Sequence, residues 1–288
     1  MTAQATGRET TFAGLPAVEL ALPQGDTLRV SLHGAQVLSW VSGGQERLYL
    51  SPKSTMDGQA AIRGGVPVCF PQFNQRGPMA ERLPKHGFAR NVAWQADAPQ
   101  LSADSAQLCL HLQDNDRTRA WWPQAFALQL NITLRPGALR ISLNVQNTNT
   151  NTPQPLAFSG ALHTYLAVPD VTRAQLQGLG GQAEWDAVAN THASAADTLR
   201  FAAEFDRVYA ASKQAMRLND QLHIQQSASW ANTVVWNPAQ DLCKRLADMP
   251  EDGWRHMLCV EAAQVFEPIT LPAGERWEGW QQLTVTTP

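Results

Sequence analysis

Two runs of strict alternation joined by a short turn set the firmest limit on how this chain can fold. Phe126, Leu128, Leu130, Ile132 and Leu134 alternate with Ala127, Gln129, Asn131 and Thr133; after Arg135-Pro136-Gly137 the pattern resumes with Leu139, Ile141, Leu143 and Val145. Successive side chains of a strand point to opposite faces, so each run offers one apolar face to a core and one polar face outward. Pro-Gly between them is a strong hairpin signal. Leu108, Leu110 and Leu112 alternate with Cys109, His111 and Gln113, and Leu28, Val30 and Leu32 with Arg29, Ser31 and His33. Both histidines fall on polar sides, and His33 reads as solvent-facing. Residues 36–41, 46–51, 221–226 and 232–236 read as further strands, with Ser42, Gly43 and Gly44 as a turn.

Helical spacing is confined to NPAQDLCKRLADMP, where Leu242, Leu246 and Met249 recur on one face, Asn237 offers a cap and Pro238 takes the first position. Residues 116–123, with Trp121 and Trp122 beside Pro123, read as too short and irregular for a helix. Their tryptophans read as core filling rather than a sugar-stacking platform. The polar run QNTNTNTPQP does not establish a linker, because alternation continues on both sides. The expectation is one all-β domain over residues 1–288, a large antiparallel sandwich with one or a few short helices. Residues 1–12 are expected to be a polar N-terminal tail.

Composition removes several classes of function. The chain has 288 residues, 44% hydrophobic and 16% charged, with a formal net charge of -3. A nucleic-acid reader normally shows a basic excess on one face, so DNA and RNA are disfavoured as partners. No apolar run is long enough to span a bilayer, and MTAQATGRET lacks the order of a signal peptide, which points to a cytoplasmic protein without membrane partners. Cys69, Cys109, Cys243 and Cys259 lack metal or redox spacing and read as buried free thiols.

Three places resist explanation by folding alone. The segment RGGVPVCFPQFNQRGPMAERLPKHGFAR puts Arg63 before two glycines and His86 and Arg90 around Gly87, in a loop broken by prolines yet carrying Val66, Val68, Phe70 and Phe73. LAFSGALHTYLAV carries His163 as its only ionisable side chain besides the weakly acidic Tyr165. HMLCVEAAQV carries Glu261 as its only acid. An imidazole or carboxylate in such company needs a partner, a shifted pKa or a ligand. Asp206 and Arg207 stand together in FDRVY, a pair that by itself reads as a local turn or salt bridge.

RGGVPVCFPQF, PKHGFAR, SGALHTYLAV, FDRVY, WNP and CVEAA, in that order from about residue 60 onward, together resemble the glucose-6-phosphate 1-epimerases, the hexose-phosphate branch of the aldose 1-epimerases. The resemblance implies the antiparallel supersandwich fold, in agreement with the alternation. It also implies an isomerase in which His163 is the general acid and Glu261 the general base, with Arg63, Arg90 and Asp206 at ligand-binding positions and His86 against the sugar ring. The family commonly has Gln where this chain has Lys85, which leaves Lys85 either to donate to a sugar hydroxyl or to add a cation near the phosphate.

Interconverting α and β anomers requires proton transfers at the C1 hydroxyl and the ring oxygen around a ring opening, so a carboxylate and a histidine suffice. No cofactor, metal or nucleotide is implied. The expected partner is a small-molecule sugar phosphate, and the chain is expected to act as a monomer. Two alternatives stand beside this: an epimerase of unphosphorylated aldoses, which has no need of two arginines, and a non-catalytic carbohydrate-binding sandwich using the ten tryptophans.

Overall fold

The Pro136-Gly137 turn brings Phe126–Arg135 and Ala138–Asn147 together in antiparallel register, Leu130 opposite Leu143 and Ile132 opposite Ile141. Gly137 has φ of 68°, a conformation that L side chains rarely adopt. Ala106–Gln113 and Arg276–Val285 flank this hairpin, and the four strands form the centre of a ten-stranded sheet. In the computed structural model of the chain, residues 4–76, 81–149 and 154–286 are described, and their strands form sheets of five, ten and eight members. Neighbouring strands in all three sheets pair antiparallel, as the hairpin-rich sequence requires.

The sheets are held by one apolar core. Leu110, Leu130 and Leu143 of the ten-stranded sheet join Leu162, Leu258 and Val260 of the eight-stranded sheet in a single buried cluster. Burying each such side chain contributes about 1.5–3 kcal/mol, which is why the alternating leucines dictate the sandwich. A second, smaller cluster of Cys69, Phe73, Ala161, Val208, Val234, Ala263 and Val265 lies apart from it. Along Met257–Leu271 successive side chains alternate between faces, so Leu258, Val260 and Ala262 share one face and Cys259 and Glu261 the other.

Several local expectations need correction. Thr6–Phe12 is a strand paired with Leu15–Ala21, not a tail, and only residues 1–3 at that end lie outside the described part. Asp116–Trp121 is a helix despite its length, because Asn115 and Thr118 close a capping box that satisfies two free backbone N–H groups. Trp122 then fills core as expected, while Trp121 is only partly buried, with Arg117 over its ring. The helix near residue 240 is shorter than its spacing promised, Ala239–Cys243, although Asn237 does accept the Ala239 N–H. The run 46–51 is a strand only at Gln45–Glu46. His33, just beyond the strand Thr27–Ser31, is buried, with Nε2 at 3.0 Å from the Ala60 carbonyl oxygen of a loop that covers it. Cys109 is only part-buried, unlike the other three cysteines, because it lies on the outward face of its strand. Part of the polar run 146–155, residues 150–153, lies outside the described residues. Among the described residues no helix is long and apolar enough to cross a membrane.

Candidate active site

The two anomalous apolar runs meet across one ladder. Leu156–Leu162 and Tyr165–Ala167 both pair with Met257–Leu271, Leu162 opposite Ala262 and Tyr165 opposite Cys259. The register carries through the gap between them, so His163 stands opposite Glu261, and side chains directly opposite share a face. His163 Nδ1 lies 3.3 Å from Glu261 Oε1. Nδ1 and Glu261 Oε2 are both buried without a hydrogen-bond partner among the described residues. On the other side of Glu261 come Val234 and, on Asn232–Asn237 and Phe205–Ala210, the pair Trp236 and Asp206. The period of two places all of these on the same face of the eight-stranded sheet.

A cavity of about 190 Å³ opens on that face. His163, Glu261 and Asp206 line it, together with Arg63, Lys85 and His86 from the loop 63–90. Arg90, the seventh residue singled out in the sequence, is not on this wall; its Nη2 donates to the Lys85 carbonyl oxygen at 2.8 Å, and its Nε is buried without a partner among the described residues. Arg207 points the other way, to Glu184 and Asp186 at 3.1 Å each, so neighbours in FDRVY serve different faces.

The double glycine after Arg63 is a packing requirement. A Cβ at Gly64 would stand 2.4 Å from the Tyr49 carbonyl oxygen, and one at Gly65 would stand 2.0 Å from that of Val37. The loop can lie flush against those two segments only without side chains there. This delivers Arg63 to the cleft, where Nε donates to Asp248 Oδ2 at 2.9 Å and Nη1 to the Tyr165 hydroxyl at 3.2 Å. Tyr165 in turn stacks on the His163 ring, 4.8 Å between centroids and 8° between planes. Arg63 and His163 thus share a support.

At the other end of the loop, His86 adopts φ of 66°, unusual for a residue with a Cβ. Gly87 follows at φ 73°, and a Cβ there would meet the Phe70 carbonyl oxygen at 2.1 Å. The Asn74 N–H donates to His86 Nδ1 at 3.1 Å. Burial, aided by His163 and the nearby cations, holds the His86 pKa well below the usual imidazole range. A neutral ring accepting at Nδ1 carries its proton on Nε2, so His86 is left with a donor nitrogen.

Burial sets the protonation of the catalytic candidates in opposite directions. It pushes Glu261 well above the ordinary carboxylate range, reinforced by Asp206 and opposed by Lys85 and Arg90. It pulls His163 well below the imidazole range, reinforced by Arg90, Arg63 and Lys85. Asp206 is raised by burial as well, with Lys85 as the largest opposing influence. Burial thus favours the neutral form of both members of the pair, the protonated carboxyl and the unprotonated imidazole.

Sequence reasoning missed Asn74, Glu204, Trp236, Leu242 and Leu246 on the wall, and Tyr165 and Asp248 behind it. Leu242 and Leu246 carried a signal, a helical stripe that reads as core but here faces the cleft, and Trp236 and Tyr165 lay within the WNP and SGALHTYLAV motifs without being singled out.

The Aldose 1-epimerase family model matches residues 16–284. A protein of Cenchrus ciliaris named "Putative glucose-6-phosphate 1-epimerase" is 33% identical over 282 residues, 93% of this chain and 84% of the relative. A protein of the same name from Escherichia coli K12 is 34% identical over 246 residues, 82% of this chain and 79% of the relative. The crystal structure of a Salmonella typhimurium "putative mutarotase (YeaD)" superposes with a TM-score of 0.85 at 28% identity, covering 97% of this chain and 93% of that one. Matched over nearly its whole length, the chain belongs to the aldose 1-epimerase family and is an isomerase acting at the anomeric carbon of an aldose.

Proposed function

We propose that the chain interconverts the α and β anomers of a hexose 6-phosphate, with D-glucose 6-phosphate as the first candidate. The observation that carries the reading is the presence of Arg63 and Lys85 on the wall of the cleft that also holds His163 and Glu261. A neutral sugar does not call for cations there, whereas a phosphate is held well by guanidinium and ammonium groups. The names of the relatives agree with this choice of substrate.

The chemistry needs an acid and a base side by side, because the C1 hydroxyl and the ring oxygen sit on the same carbon. Nitrogen and oxygen atoms 3.3 Å apart meet that demand. Glu261 takes the C1 hydroxyl proton while His163 protonates the ring oxygen; the C1–O5 bond breaks to give the open aldehyde. Rotation about C1–C2 turns the other carbonyl face to the attacking hydroxyl, and closure returns both protons. Burial favours the neutral form of each group, so the working charge state requires the proton to move from Glu261 to His163 when substrate binds. A phosphate dianion on Arg63 and Lys85 offsets the cations that depress His163, so the proper substrate itself favours the working charge state. His86 Nε2–H, Asp206 and Asn74, which line the same cavity, would hold sugar hydroxyls.

Anomer exchange followed by NMR with glucose 6-phosphate, galactose 6-phosphate and free glucose tests the reading. A clear preference for a phosphosugar is expected. Equal efficiency on free glucose would overturn it in favour of a neutral-sugar epimerase.

A further inference from the structure

The part-buried thiol of Cys109 does not stand alone. Cys109 and His111 are two residues apart on Ala106–Gln113 and share its outward face, and Asp97 follows the neighbouring strand Gln95–Ala96, tied to it by the Asp97 N–H to Cys109 carbonyl bond of 2.9 Å. His111 Nε2 is 2.8 Å from Asp97 Oδ2 and 3.3 Å from Cys109 Sγ, and the three donor atoms lie within 4.8 Å of one another. From the other neighbouring strand, Gln129 stands opposite His111 and donates from Nε2 to Cys109 Sγ at 2.9 Å. Carboxylate and thiol converge on a single ring nitrogen, which has at most one proton to give. One cation at their centre would satisfy all three.

We infer that Asp97, Cys109 and His111 form a binding site for a divalent cation of borderline softness, zinc foremost. The donor set is one thiolate, one imidazole and one carboxylate, the mixture that zinc takes. Tetrahedral zinc with its usual bond lengths places such donors roughly 3.3 to 3.6 Å apart, so the observed spacings need only small side-chain rotations. Binding releases the Cys109 proton to solvent and moves the His111 proton to Nδ1, freeing Nε2 to coordinate. The Gln129 amide stays on the sulfur as an outer partner that orients the thiolate. Water completes the fourth position, because Asp97 and His111 reach solvent. The site lies on the ten-stranded sheet and uses no group of the proposed epimerase reaction, so the two readings stand or fall separately.

The full chain, stripped with a chelator and dialysed, would be titrated with Co²⁺ and then with Zn²⁺. One equivalent of cobalt should give the strong visible bands of a tetrahedral site and a thiolate charge-transfer band, both abolished by zinc. Cys109→Ser should remove the charge-transfer band, and His111→Ala and Asp97→Asn should each weaken zinc binding by at least roughly tenfold, the scale on which even outer partners act. All three side chains reach the surface, so melting curves confirm that the variants fold. No thiolate band in the parent, or a band that survives Cys109→Ser, overturns the site. A band lost in Cys259→Ser instead also overturns it, placing the metal on the buried His163, Cys259 and Glu261 cluster.

Discussion

At the scale of single residues, the proposed roles of His163 and Glu261 tie activity and stability to the charge state of one pair. Glu261→Gln and His163→Asn should each lower turnover by roughly 10²-fold or more, the usual contribution of a general acid or base. A folded variant that exchanges anomers near the parent rate would remove its residue from the mechanism. With one proton on the pair, kcat/KM should be flat between two limbs: it falls in acid when depressed His163 takes a second proton, and in alkali when raised Glu261 loses the first. The same shift carries a stability cost. Below the unfolded value of 4.5 Glu261 is protonated in both states; above it only the unfolded chain gives up the proton, so stability falls with rising pH until the folded pKa is passed. Glu261→Gln should therefore melt above the parent near about pH 7, with the gap closing near about pH 4. An equal or lower melting temperature at neutral pH would mean that Glu261 is held as a carboxylate by partners in the cleft. Both residues were legible in the sequence as lone ionisable groups in apolar runs. Their opposition across a ladder was not, because the register of distant strands is fixed only when the sheet forms.

At the scale of elements, the loop 63–90 is shaped by backbone contacts that sequence hints at through its glycines. Gly65 has φ of 59° and lies against Val37, so Gly65→Ala brings both an unfavourable conformation and a clash with backbone that cannot move aside. A strained residue alone costs on the order of 1–3 kcal/mol, and the clash adds to it. The variant should melt well below the parent and lose activity through displacement of Arg63. By contrast Gly14, at φ 87° with open space around it, should tolerate Ala with a smaller loss. Melting curves of the two side by side make the check, and equal losses would show that packing under the loop does not matter. Alternation gave the long strands because their cores are one-sided. It failed at His33, where a loop rather than solvent covers the side chain, and at Asp116–Trp121, where a capping box outweighs short length.

At the scale of the whole molecule, the proposed substrate would require a chain of net charge -3 to draw an anionic sugar into a cleft with acidic neighbours. Long-range repulsion is small at that net charge, so the local field of Arg63, Lys85 and nearby Arg90 decides. No sequence pattern could assign these cations their shares: Arg63 and Lys85 reach the wall, Arg90 does not, and Arg63 already spends two of its nitrogens on Asp248 and Tyr165. A charge-assisted hydrogen bond contributes about 1.5–3 kcal/mol, so Arg63→Ala should weaken phosphosugar binding by roughly one to two powers of ten. Removing Arg63 also leaves Asp248 unpaired, but its side chain is 32% exposed and water can serve it. Lys85→Met offers an independent reading, since Lys85 is exposed and shares no partner with Arg63. The phosphosugar KM should rise in both variants while kcat/KM for the free sugar changes much less, and the parent's preference for the phosphosugar should shrink as ionic strength passes the range where the Debye length is ~8 Å. If both variants lose phosphosugar and free-sugar activity in equal proportion, these side chains support the loop or the shared sugar contacts. The phosphate would then have no place in the cleft, and the substrate would be an unphosphorylated aldose.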